Sequence, residues 1–126
     1  MEQSSKCFDS LASHQFSSKT RVLDLKKPKL MGVVNVTPDS FSDGGRFWSI
    51  DDALAQVRSL ISLGADWLDI GGESSGPGTS DISVDEELSR VMPLIESIRN
   101  ESDVWLSIDT WKSKVASDAV REGVDC

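Results

Sequence analysis

One plan is used three times along this chain, and it constrains the fold more than any other feature. A short apolar run stops at polar residues or glycine, and a stretch of helical periodicity follows. The runs are Leu30–Val34, Trp67–Ile70 and Asp103–Ile108. Apolar runs of this length, bounded by turn signals, fit strands buried on both faces. The stretches between them carry their own start and stop signals. Ser49 is placed to cap the first helix, with Asp52 three residues on. Leu54, Val57, Leu60 and Ile61 give that helix an apolar face, and Gly64 ends it. Ser83 and Glu86 form a fuller capping box for the second helix, followed by Leu88, Val91, Met92, Ile95 and Ile98 at helical spacing. Pro93 falls inside this pattern and is expected to kink or divide the helix. Thr110–Arg121 reads as a third helix, with Val115, Ala116, Ala119 and Val120 inward and Gly123 as its stop. Arg21–Leu25 fits an optional strand in front. Val124–Cys126 looks like a fourth strand beginning.

Alternating strands and helices imply an α/β fold with right-handed parallel crossovers. Two architectures satisfy this order: a doubly wound sheet, or part of a (β/α)8 TIM barrel with about three βα units present. Spacing alone does not choose between them. The strand ends lean toward the barrel, since they stop at Asn35, at Asp69-Gly71-Gly72 and at Asp109, on the edge where α/β folds build their sites.

Composition narrows the function classes. The 126 residues carry 13 Lys and Arg against 21 Asp and Glu, a net charge of −8, so no basic nucleic-acid footprint is expected. No stretch approaches the roughly 18 apolar residues that span a bilayer, so no membrane partner is expected either. Cys7 and Cys126 lie near opposite ends and form neither a disulfide framework nor a zinc site, which fits a reducing compartment. Residues 1–20 are Ser-rich, lack an apolar signal region and read as a flexible N-terminal extension ahead of a folded unit over 21–126. His14, the one histidine, lies in that extension and reads as solvated. The expected localisation is cytoplasmic.

Two loops carry the chemistry. Asn35–Gly45 (NVTPDSFSDGG) holds two carboxylates, several hydroxyls, an aromatic ring and two glycines. At eleven residues it is longer than an ordinary βα turn, and long loops at that edge tend to be lids or binding loops. Gly71–Gly78 (GGESSGPG) is rich in glycine, so its backbone N–H groups can approach an anion closely. It has neither a Walker lysine nor dinucleotide-fingerprint spacing, and flexible connector and anion cradle stay equally open. Asp109 is either a site carboxylate or, like Thr110, a helix cap.

Taken together these strings resemble the dihydropteroate synthase family of pterin-binding barrels. The matching residues are Met31-Gly32, Asn35–Gly45, GADWLDIGGES (Gly64–Ser74), VDEELSRVMPLI (Val84–Ile95) and SIDT (Ser107–Thr110). The resemblance implies a (β/α)8 barrel. It also implies condensation of 6-hydroxymethyl-7,8-dihydropterin diphosphate with p-aminobenzoate, giving 7,8-dihydropteroate and pyrophosphate in folate biosynthesis. By position it implies that Asn35 contacts a Mg²⁺ on the pyrophosphate; an amide oxygen is a suitably hard ligand. Asp109 matches the aspartate that hydrogen-bonds the pterin ring. Asp39 and Phe41 match the first loop, where the acid would stabilise the cationic pterin carbon and the ring would pack on the aminobenzoate. Ser75 falls at a substrate-binding position of the second loop. A homodimer is implied for the full-length form.

The sequence departs from that family at two points. The second loop usually reads Gly-Gly-Glu-Ser-Thr-Arg-Pro-Gly; here Ser75 stands for Thr and Gly76 for Arg. Ser75 keeps a hydroxyl, whereas Gly76 loses a guanidinium suited to clamping phosphate. Weaker closure around pyrophosphate is expected, and Gly76→Arg in a full-length context is expected to raise kcat/KM. The second departure is length, since such a barrel needs about 250 residues. The chain is therefore expected to be an N-terminal half, and the 126-residue polypeptide alone is expected to show no turnover and to aggregate or associate. The alternatives are a related pterin-binding methyltransferase and a non-catalytic half-barrel that only binds or associates.

Overall fold

A computed structural model describes residues 14–37, 49–74 and 81–126. Three parallel strands, β3 (Met31–Asn35), β4 (Trp67–Gly71) and β5 (Trp105–Asp109), lie side by side in chain order. They alternate with three helices, α1 (Ile50–Ser62), α2 (Val84–Glu101) and α3 (Ser113–Glu122). In front stands an antiparallel hairpin of β1 (Gln15–Ser17) and β2 (Val22–Asp24), with Phe16 opposite Leu23.

All three helices cover one face of the sheet. Val34, Leu68, Ile70 and Leu106 point to that face and are buried with Ala53, Val57, Val91, Leu94, Ile95, Ile98, Val115 and Ala119. Gly32 lies on the same side, where an added Cβ would meet the Leu60 side chain at 2.9 Å. The opposite, inner face carries Met31, Val33 and Asn35, then Trp67 and Asp69, then Trp105, Ser107 and Asp109. A doubly wound sheet covers both faces with helices. One-sided covering of these three units fits a barrel wall, and one half of a doubly wound sheet is covered in the same way. Met31 and Val33 stay half exposed on the inner face of β3, which pairs only with β4 among the described residues.

The helix boundaries follow local chemistry. Ser49 Oγ accepts from the Asp52 N–H at 3.1 Å, and Ser83 Oγ from the Glu86 N–H at 3.1 Å. Gly123, at φ 114°, takes the left-handed C-cap of α3. Pro93 does not divide α2, which runs unbroken for 18 residues, and Ser97 Oγ donates to the Pro93 carbonyl at 2.8 Å.

Four expectations need correction. Residues 15–17 belong to the hairpin and not to a flexible extension, because Phe16 has aromatic partners in Trp67 and Trp105. Neither Asp109 nor Thr110 caps α3; the N-cap is Lys112, with no side-chain cap bond, which leaves Asp109 to the sheet edge. Val120 is 40% exposed, while Val115 and Ala119 are buried as expected. Val124–Cys126 is not a regular strand, yet it pairs like one. Asp125 N–H donates to Leu106 O at 2.8 Å, and Ile108 N–H to Cys126 O at 2.9 Å.

Candidate functional site

Strand register builds the candidate site. Asn35 pairs beside Gly71, and Gly71 beside Asp109, so three strands end at one level on the inner face. Gly71 matters for the side chain it lacks. A Cβ there would sit 3.3 Å from Asn35 Oδ1 and 3.8 Å from Asp109 Cβ. The gap between amide and carboxylate is therefore open. Asn35 and Asp109 are exposed, and neither side chain has a hydrogen-bond partner among the described residues. Polar groups converging unsatisfied on an open strand edge are suited to a ligand.

One level lower on this face, Val33, Asp69 and Ser107 stand in register. Ser107 Oγ donates to the Asp69 carboxylate and accepts from Trp67 Nε1 at 2.9 Å. The chain of donors fixes the Asp69 carboxylate beneath the open edge.

The second loop leaves β4 through Gly72, packed so closely on α2 that a Cβ would meet Val91 Cγ1 at 2.7 Å. Arg90 Nη1 donates to the Gly72 carbonyl at 3.0 Å. Glu73 follows. Its carboxylate accepts from the Ile82 N–H at 3.3 Å, from Trp111 Nε1 at 3.0 Å and from Lys112 Nζ at 2.5 Å. Lys112 Nζ also reaches Glu87 Oε2, in the first turn of α2, at 2.9 Å. Glu87 is wholly buried, and its Oε1 has no partner among the described residues. The Lys112 hydrogen bond is the main cause holding the Glu73 carboxyl below its usual range. Burial works against the charge on Lys112, but the two glutamates outweigh it and raise its pKa.

Of the five site residues expected from sequence, Asn35 and Asp109 are brought together at this edge. Asp39, Phe41 and Ser75 lie outside the described residues, as does Gly76. Sequence reasoning missed the Glu73–Lys112–Glu87 cluster. One signal for it existed: Glu87 stands four residues before Val91, on the apolar stripe of α2, and a carboxylate there needs a partner. Lys112 gave no comparable signal. Among the described residues no group of three or more His, Cys, Asp or Glu could hold a metal ion. At this strand edge the Asn35 amide and the Asp109 carboxylate are oxygen donors with no hydrogen-bond partner among the described residues.

Comparison with known proteins agrees with this geometry. The family of pterin binding enzymes matches residues 31–126. Dihydropteroate synthase of Haemophilus influenzae is 46% identical over 108 residues, covering 86% of this chain and 39% of the relative. That of Bacillus subtilis is 52% identical over 98 residues, covering 78% and 34%. The solved dihydropteroate synthase of Xanthomonas albilineans with 4-aminobenzoic acid superposes with a TM-score of 0.81 at 46% identity, over 90% of this chain and 42% of that one. The chain thus spans well under half the length of these relatives. With the match running from the first residue of β3 to Cys126, the chain belongs to the pterin binding enzyme family.

Proposed function

We propose that this chain supplies the first strand ends of a dihydropteroate synthase active site, within a (β/α)8 barrel of which β3, β4 and β5 form part of the wall. The observation that carries the reading is the register of Asn35, Gly71 and Asp109 at one open edge, in a chain of this family. The substrates are 6-hydroxymethyl-7,8-dihydropterin diphosphate and p-aminobenzoate. The C–O bond to the diphosphate breaks and its electron pair leaves with pyrophosphate. The aminobenzoate nitrogen forms the new C–N bond to the methylene carbon and then gives up a proton.

Asp109 orients the pterin, because its two carboxylate oxygens accept parallel hydrogen bonds from the amino and imino edge. That its side chain has no hydrogen-bond partner among the described residues supports that role. Asp39 would stabilise positive charge on the methylene carbon, and Phe41 would pack on the aminobenzoate ring. Ser75 would offer its hydroxyl to substrate. Asn35 fits a magnesium ion: its amide oxygen is hard, and the missing Cβ of Gly71 leaves room beside it. Such an ion, when bound, neutralises charge on the departing diphosphate. The reaction needs no membrane or nucleic acid, and a soluble cytoplasmic setting and a homodimeric full-length form go with this reading.

The test is dihydropteroate formation by the full-length protein from both substrates. Asp109→Asn keeps the shape and removes one of two paired acceptors. It should lower kcat/KM about 100-fold while leaving the unfolding midpoint within about 2 °C. A wild-type protein that forms no dihydropteroate, or an unimpaired Asp109→Asn, sinks the reading.

A further inference from the structure

We propose that Lys112 is a positioning residue for the second loop, locking Glu73 at the loop's root to the start of α2. This rests on the dihydropteroate synthase reading, in which that loop serves the diphosphate substrate. Glu73 is the pivot. One of its oxygens accepts from the backbone of Ile82, so a single side chain draws together the two ends of the segment between residues 73 and 82. Its other oxygen accepts from Lys112 and Trp111, both on the connection that follows β5. Lys112 then passes the restraint to Glu87 in α2. The two ends of the loop, the next βα turn and the neighbouring helix are thus tied at one ammonium.

Stability alone gives a poor account of this cluster. Buried ion clusters of this kind can often be replaced by apolar side chains at no loss. Here two carboxylates share one ammonium, and Glu87 Oε1 is buried with no donor among the described residues. What the cluster does provide is fixed geometry, since a charged network shielded from water holds its members in one arrangement. Lys112 keeps only 6% of its side chain exposed. The Trp111 ring lies over it, with Nζ 4.4 Å from the ring centre. Trp111 is itself 72% exposed, so it gives up burial of its own ring while shielding the lock and donating to Glu73. The cluster also lies beside Gly72, two residues along the chain from Ile70 in the core, so the restraint begins where β4 ends.

The test compares Lys112→Met, Lys112→Arg and the double variant Lys112→Met/Glu87→Gln in the full-length protein. The double variant guards against loss of the fold, since it removes the carboxylate that would otherwise stay buried and unpaired. In Lys112→Met and the double variant, hydrogen exchange at the amides of Glu73, Ser74 and Ile82 should quicken about tenfold. KM for the pterin diphosphate should rise about tenfold, with KM for p-aminobenzoate and kcat changed less than threefold. Lys112→Arg should recover most of the exchange protection and the low KM. The proposal is overturned by unchanged exchange in the double variant. It is also overturned if both KM values and kcat move together in step with the unfolding midpoint, which is how a purely structural lysine behaves. A wild-type protein without synthase activity fails the functional reading separately. The exchange arm then decides the lock by itself, with quickened exchange upholding it and unchanged exchange overturning it.

Discussion

The two edges of the sheet are made by the same three strands and treat their polar groups in opposite ways. At the amino edge the aromatic rings and the central carboxylate are held by several partners each. Phe16, Trp67 and Trp105 pack as a triangle with ring centres 5.2, 5.7 and 6.0 Å apart. Asp125 accepts from Arg21 at 2.7 and 2.6 Å, from Arg99 at 3.1 Å and from the Leu106 N–H at 2.9 Å. The two arginines also bind the carbonyls of Asp103, Val104 and Gly123. At the carboxyl edge, the Asn35 and Asp109 side chains flank a glycine and have no hydrogen-bond partner among the described residues. Barrel-type folds separate their labours this way, with conserved stability at one end and chemistry at the other. The hairpin and the arginine pair close one edge, while at the other the Asn35 and Asp109 side chains stay open beside the Glu73–Lys112 network.

The largest expected effect tests the closed edge. Asp125→Ala leaves two half-buried guanidinium groups around an empty site, and breaking a buried ion pair on one side costs about 3–5 kcal/mol. Denaturant unfolding should lose that much stability, while the variant that still folds keeps its KM for the pterin substrate. Asp109→Asn is the mirror case, with activity lost and stability kept. If Asp125→Ala left stability unchanged, or Asp109→Asn destabilised the fold, the division between the edges would be wrong.

How far each edge was legible in the sequence follows the same division. Strands, helices and caps were readable because their signals are local: Ser49 and Ser83 with acids three residues on, apolar faces at helical spacing, Gly123 after the last turn. The open edge was readable too, since Asn35, Gly71 and Asp109 each end an apolar run. The closed edge was not. The bonds from Arg21 to Asp125 join residues 104 apart, and nothing near either one announces the other. Phe16 looked like part of a polar tail because its partners, Trp67 and Trp105, arrive from distant strands. Lys112 was hidden for the same reason, for its partners come from β4's loop and from α2. The architecture itself needed the likeness to solved structures, because three βα units with helices on one face fit either a barrel or half of a doubly wound sheet.

A smaller effect probes the hairpin. Phe16 is only half-buried, so Phe16→Ala should cost about 2 kcal/mol, roughly half the price of deleting a fully buried ring. Unfolding monitored by tryptophan fluorescence reads it directly, since Trp67 and Trp105 lose their neighbour. Phe16→Leu should recover part of the loss, and a neutral Phe16→Ala would show that the hairpin closes nothing.

The smallest expected effect is on pH dependence, and it separates the two edges by charge. Burial alone would push the Asp125 carboxyl up. The Arg21 hydrogen bonds, the Leu106 N–H and the charges of Arg21 and Arg99 outweigh it and hold the group below its usual range. A carboxyl lowered in the folded state contributes stability that is complete above the unfolded value, about pH 4, and disappears as pH falls through the folded value. Glu73, lowered mainly by Lys112, adds to the same acid limb from the opposite edge. Lys112 is raised, so its contribution is whole below its ordinary value near pH 10 and fades only as the solution becomes more alkaline than the folded value. Unfolding midpoints measured from pH 3 to 7 should therefore fall toward acid in the wild type and fall less steeply in Asp125→Asn. Glu73→Gln should flatten that limb less, because Glu73 is more exposed (13% against 4%) and water replaces more of what it loses. An acid limb that Glu73→Gln flattens more than Asp125→Asn would move the stronger electrostatic tie to the open edge and reverse the assignment of roles.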